Sequence, residues 1–129
     1  MSDNSMRSPL GRVRGLGSAK EGVHHWWMQR VTAVALIPLT LWFVFAVAGI
    51  DGLDYEAARA WIGHPLVAIA LILLIAATFY HAKLGVQVVV EDYVHCEAAK
   101  LVSLLAVKFA AIVVATAAIF AVLKISFGG

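Results

Sequence analysis

Three long apolar stretches, separated by short polar breaks, dominate the pattern of the chain. Val31 to Ile50 runs for twenty residues without a charge, enough for a helix to cross ~30 Å of hydrocarbon. Leu66 to Val90 is a second apolar stretch, and Leu101 to Phe127 contains a third. The pattern predicts an all-α membrane protein with three transmembrane helices at about 31–50, 66–90 and 101–125. Pro38 falls inside the first and predicts a kink. Between the first two spans, Asp54 is placed to cap a short helix through Trp61, with Glu56 in its first turn and Gly63-His64-Pro65 as its stop. Tyr55 and Trp61 would hold that helix flat against the headgroups. Residues 1–21 contain Ser, Gly and Arg without periodicity and read as a flexible tail, leaving 22–129 as one membrane domain.

Composition agrees with this reading. The 129 residues are 62% hydrophobic with a mean hydropathy of +0.88, which excludes a soluble domain of this size. A net charge of +2 gives no argument for nucleic acid. The single cysteine, Cys96, excludes an intrachain disulfide and an iron–sulfur cluster held by this chain alone. Gly11, Gly15 and Gly17 follow no strand and form no dinucleotide fingerprint. The run after Arg30 is too long for a signal peptide and lacks the usual cleavage site. Charge instead sets the topology. Arg7, Arg12, Arg14, Lys20 and Arg30 precede the first span, against Arg59 alone in the first loop, so the N-terminus is expected in the cytoplasm. Three spans then put Glu91–Lys100 on the cytoplasmic side, where Cys96 stays a free thiol.

Within this apolar background, His81 stands out. A histidine inside a membrane helix suggests a functional site. Ala77, Thr78 and Gly85 share its side of the helix and make that face small. A flat ligand such as haem could lie there with the imidazole reaching its iron. A packing histidine bonded to a neighbouring helix or a backbone carbonyl is the open alternative. If His81 is an axial ligand, a second must come from a partner chain, because His24, His25, His64 and His95 all lie outside the spans. Trp26 and Trp27 beside Arg30 are residues that a membrane interface selects, and Arg30 and His24 have an ordinary reading as anchors there. His24 and His25 diverge as neighbours on a helix, which discounts a metal pair. Lys83 and Lys108 fall within spans and are expected to snorkel, Lys83 about 200° around the helix from His81. Asp92 and Tyr93 could simply be a helix end with an interfacial tyrosine.

His81-x3-Gly85, followed by Asp92-Tyr93 at the eleventh and twelfth positions after the histidine, resembles the small hydrophobic anchor (D-type) subunit of succinate dehydrogenase, respiratory complex II. Gly22-Val23-His24, with Arg30 and Thr32 beyond, is similar to that family's lead into its first helix, and Trp61-Ile62-Gly63 to the segment before its second. The match covers roughly residues 15–125, and Val94-His95-Cys96-Glu97 departs from it. The resemblance implies a membrane-anchor subunit, not catalytic alone, of a multi-pass complex in the bacterial inner membrane. It implies a haem b shared with a second, C-type anchor subunit, with His81 as iron ligand, Gly85 against the macrocycle, and His24 and Arg30 near the propionates. Tyr93 and Asp92 would belong to a ubiquinone site, the phenol bonding a quinone carbonyl and the carboxylate orienting it or relaying protons. Tyr93 lies ~18 Å along the helix from His81, leaving room for quinone above the haem. FAD and iron–sulfur clusters would reside in the flavoprotein and iron–sulfur subunits. A menaquinol-linked fumarate reductase anchor is the alternative within the family, and a haem-free structural or transport subunit the alternative outside it.

Overall fold

The computed structural model describes residues 20–50, 52 and 54–128 together with Leu10, so the expected tail at 1–21 lies almost wholly outside the described residues. Four helices follow in order: α1 (Lys20–Ala48), α2 (Tyr55–Gly63), α3 (Pro65–Tyr93) and α4 (Glu97–Ser126). Three of them are long and apolar enough to cross a membrane, Gly22–Ala48, Pro65–Tyr93 and Glu97–Ser126, as the apolar pattern leads one to expect. Each runs past its apolar stretch at one end or both. Lipid offers the backbone no hydrogen-bond partner, so the helix continues until water or a cap can satisfy its last groups. The 29 residues of α3 extend for about 43 Å, and its polar C-terminal turn therefore stands beyond ~30 Å of hydrocarbon. Helix α1 runs unbroken through Pro38.

Local chemistry sets the short helix. Asp54 Oδ1 accepts from the Ala57 N–H at 2.8 Å and caps α2 at its start, with Glu56 in the first turn. The loop before it turns through Gly52 at φ 61°, a left-handed conformation that glycine adopts without cost. At the other end the His64 N–H bonds to Trp61 O, and Pro65, needing no hydrogen-bond acceptor, opens α3.

Helix α3 is the centre of the bundle. It packs against α1 on one side and α4 on the other, while α1 and α4 do not meet among the described residues. The hairpins are antiparallel: Thr32 and Gln29 near the start of α1 meet His81 in the second half of α3, and Trp42 and Phe43 pack with Ala68 and Leu71 in its first half. The closest packing is at the end carrying α2. There Ala68, Leu71 and Val122 are buried among Trp42, Phe43, Trp61 and neighbouring aliphatic residues. Trp42 and Trp61 stack with ring centroids 5.9 Å apart. Toward the opposite end the helices open, and among the described residues only Thr32 and Leu84 are buried there. Large apolar side chains such as Val34, Phe45, Phe109 and Phe120 point outward, as they can where the solvent is lipid.

Candidate functional site

Three polar side chains of α1, His25, Gln29 and Thr32, follow at intervals of four and three residues and so lie along one stripe. That stripe faces α3. Thr32 is buried, and its hydroxyl lies 2.9 Å from Nδ1 of His81. The same hydroxyl reaches back to Met28 O at 2.7 Å, with Gln29 O at 3.2 Å. The other imidazole nitrogen, Nε2, lies 3.5 Å from Nε2 of Gln29, a long and weak approach. Gln29 Oε1 and His25 Nε2 are buried without a hydrogen-bond partner. Gly85, one turn beyond His81, is bounded within the chain by the same glutamine: a Cβ there would meet Gln29 Nε2 at 3.8 Å.

Around this stripe the first half of α1 and the last part of α3 bound a cleft of about 790 Å³. His24, His25, Gln29 and Arg30 line it from α1, and Gly85, Gln87 and Glu91 from α3. Deeper along α1, His81 borders a second, shallow groove of about 430 Å³ with Ala33, Leu36, Ile37, Thr40 and Leu41. The imidazole thus stands where an apolar surface gives way to a polar one. Arg30 lays its guanidinium over the Trp26 ring, 3.8 Å from the centroid, so the cation sits at the cleft on an aromatic support.

His24, Arg30 and Gly85 therefore share one cleft, with His81 next to it. Asp92 and Tyr93 do not join them. Both are exposed at the end of α3, outside the residues lining the cleft, and Tyr93 is 78% exposed. The Tyr93 carbonyl faces His95 Nδ1 at 3.0 Å. Gln87 donates to Glu91 at 2.8 Å along the same helix face. Lys83 holds its ammonium 4.6 Å from the Tyr80 ring centroid and lines both the cleft and the grooves that Lys108 borders between α3 and α4. Cys96 is free and exposed. No cluster of three or more metal-ligating side chains occurs among the described residues. Sequence reasoning missed Gln29 as a site residue and gave Thr32 no role of its own. The signal was present in the spacing of the polar residues at 25, 29 and 32 along one side of the helix.

Residues 4–123 match the family model described as "Succinate dehydrogenase/Fumarate reductase transmembrane subunit". A succinate dehydrogenase hydrophobic membrane anchor subunit of Rickettsia bellii is 34% identical over 116 residues, covering 90% of this chain and 93% of the relative. The corresponding subunit of Paracoccus denitrificans is 34% identical over 121 residues, 94% of this chain and 93% of its own length. A succinate dehydrogenase membrane anchor subunit of Reclinomonas americana is 30% identical over 96 residues, 72% of this chain and 80% of the relative. With a family model spanning most of its length and relatives matched nearly end to end, this multi-pass membrane chain belongs to the succinate dehydrogenase/fumarate reductase transmembrane-subunit family.

Proposed function

We propose that this chain anchors a succinate:quinone oxidoreductase in the inner membrane, holds one side of a b-type haem shared with a second anchor subunit, and contributes to the ubiquinone-reduction site. The flavoprotein and iron–sulfur subunits dock on the side where α1 begins and α3 ends, the cytoplasmic side by the distribution of basic residues. The carrying observation is the position of His81, a lone intramembrane histidine between an apolar groove and a polar cleft.

The residues present suit a haem. An amphiphilic macrocycle needs an apolar bed, a nitrogen ligand and hydrogen-bond donors, at least one of them cationic, near its carboxylates. Ala33, Leu36 and Ile37 provide the first, His81 the second, and Arg30 with His24 the third. The orphaned Gln29 Oε1 and His25 Nε2 are polar atoms at this cleft whose hydrogen-bonding capacity is unused. When bound, the group supplies a one-electron carrier inside the membrane. The chain's own contribution is to present an imidazole nitrogen, to neutralise carboxylates at the cleft, and to exclude water along the α1–α3 seam. At the end of α3, Tyr93 offers a hydroxyl donor to a quinone carbonyl, and Asp92 a carboxylate able to orient that hydroxyl or pass a proton.

An absorption spectrum of the detergent-purified complex tests this reading. Reduced b-type bands in stoichiometric amount, with the flavoprotein and iron–sulfur subunits co-purifying, are expected. A chain purified without haem bands or soluble partners would point to a structural or transport subunit instead.

Gly85 gives a graded test. Alanine there meets only ordinary contact with the Gln29 amide, so Gly85→Ala disturbs this chain little by itself, and any loss of haem measures how closely the ligand approaches. Gly85→Leu fills the cleft beside His81 and is expected to lower haem content at least about tenfold while the chain still inserts. Normal haem content in the leucine variant would mean that the small face serves helix packing alone.

A further inference from the structure

Thr32 is the one buried polar or charged residue among the described residues, and its hydroxyl has two neighbours of different kinds. A hydroxyl carries a single proton. Met28 O, 2.7 Å away, can only accept, and it therefore takes that proton, with Gln29 O as a weaker second acceptor. The oxygen keeps its lone pairs for His81 Nδ1 at 2.9 Å. A hydrogen bond across that distance then needs its proton on Nδ1. The imidazole is left with its lone pair on Nε2, where the Gln29 amide makes only the long 3.5 Å approach. The donor chain Nδ1–H to Thr32 to Met28 O is also cooperative, since an oxygen that donates becomes a stronger acceptor.

We infer that Thr32 is a positioning residue: its hydroxyl fixes His81 in the Nδ1–H tautomer, so that Nε2 is the nitrogen presented to iron. This rests on the haem reading above. It also implies that the Gln29 amide gives up its contact to Nε2 when a metal takes that lone pair, a small loss at 3.5 Å. A hydrogen bond at the distal nitrogen raises the basicity of a ligating imidazole. A more basic imidazole favours ferric over ferrous iron and holds the haem potential down. Burial of Thr32 keeps water from replacing the hydroxyl once it is removed.

The test compares Thr32→Val and Thr32→Ser in the purified complex, reading haem content, the haem midpoint potential by redox titration, and the electron paramagnetic resonance signal of the low-spin ferric haem. Valine keeps the shape and deletes the hydroxyl. It is expected to weaken the preference for ferric iron about tenfold, a rise of about 59 mV for a one-electron couple, and to shift the ferric signal. Serine is expected to restore both to wild type. Loss of haem in the valine variant with full retention in serine supports the same role. A valine variant with unchanged potential and signal overturns it, and so does an equal change in both variants, which would assign the effect to packing. His81→Ala serves as the control. An unchanged haem spectrum in that variant defeats the haem reading itself, whereas haem loss there with an unresponsive Thr32→Val defeats only the role of the threonine.

Discussion

The His81→Ala complex is expected to lose haem b, by more than about tenfold relative to wild type, while the chain still inserts. Changes one shell away from a metal commonly cost 10–100-fold in affinity, and this one deletes the proposed ligand itself. The fold is well placed to survive. Thr32 keeps its acceptor at Met28 O, so no buried hydroxyl is stranded, and Gln29 gives up only a 3.5 Å contact. The substitution introduces no charge into the span, and the tightly packed end around Trp42, Trp61 and Leu71 lies well along α3 from His81. The measurement is the dithionite-reduced minus oxidised spectrum of the purified variant. A wild-type spectrum would remove His81 from the ligand set. Activity is the weaker readout, because electrons from the iron–sulfur clusters could reach quinone without passing through the haem.

Tyr93→Phe is expected to leave assembly, haem content and dye-coupled succinate oxidation intact and to lower quinone reduction. The two assays separate because a soluble dye takes electrons upstream of the quinone. Reduction builds negative charge on a carbonyl oxygen, and a positioned hydroxyl stabilises that charge more than it stabilises the bound ground state. Deleting such a donor costs on the order of 10²–10³ in enclosed oxyanion sites. At a side chain 78% exposed at the end of α3, water and partner residues soften the loss, and about tenfold to a hundredfold is expected. A folding artefact is disfavoured, since the Tyr93 hydroxyl makes no hydrogen bond within the described chain and phenylalanine keeps the ring. The ratio of quinone-reductase to dye-reductase rates in membranes decides the matter. A wild-type ratio would leave Tyr93 an interfacial anchor.

The spans were readable because long apolar runs broken by at most a lysine or two have few other uses, and α2 because Asp54 and Glu56 signal a helix start. The ends of the long helices were not. Charges at Lys20, Glu91 and Glu97 interrupt the apolar pattern, yet a helix emerging into water carries such residues without penalty. His81 was visible as the lone histidine inside an apolar span. Thr32 and Gln29 were harder to see. A threonine in a membrane helix satisfies its own hydroxyl on the preceding turn, and a glutamine beside Arg30 passes for interface. Their importance depends on which side of α1 meets α3, and a helix apolar nearly all round does not announce that side. The meeting of His24 and Arg30 with Gly85 in one cleft follows from the antiparallel hairpin, whereas the separation of Tyr93 from that cleft depends on the exact turn at which α3 ends.

Because the backbones of α1 and α4 do not approach one another among the described residues, the seam holding Thr32 against His81 is built from α1 and α3. In a chain made from its N-terminus onward, those two helices emerge before α4 does. The seam between α1 and α3 can therefore form without any contact from the last helix. The opposite end waits for Val122, near the finish of α4, to complete its cluster with Ala68 and Leu71. The two ends of the bundle thus differ in what they require: the His81 seam needs two helices, and the seal at the far face needs the third.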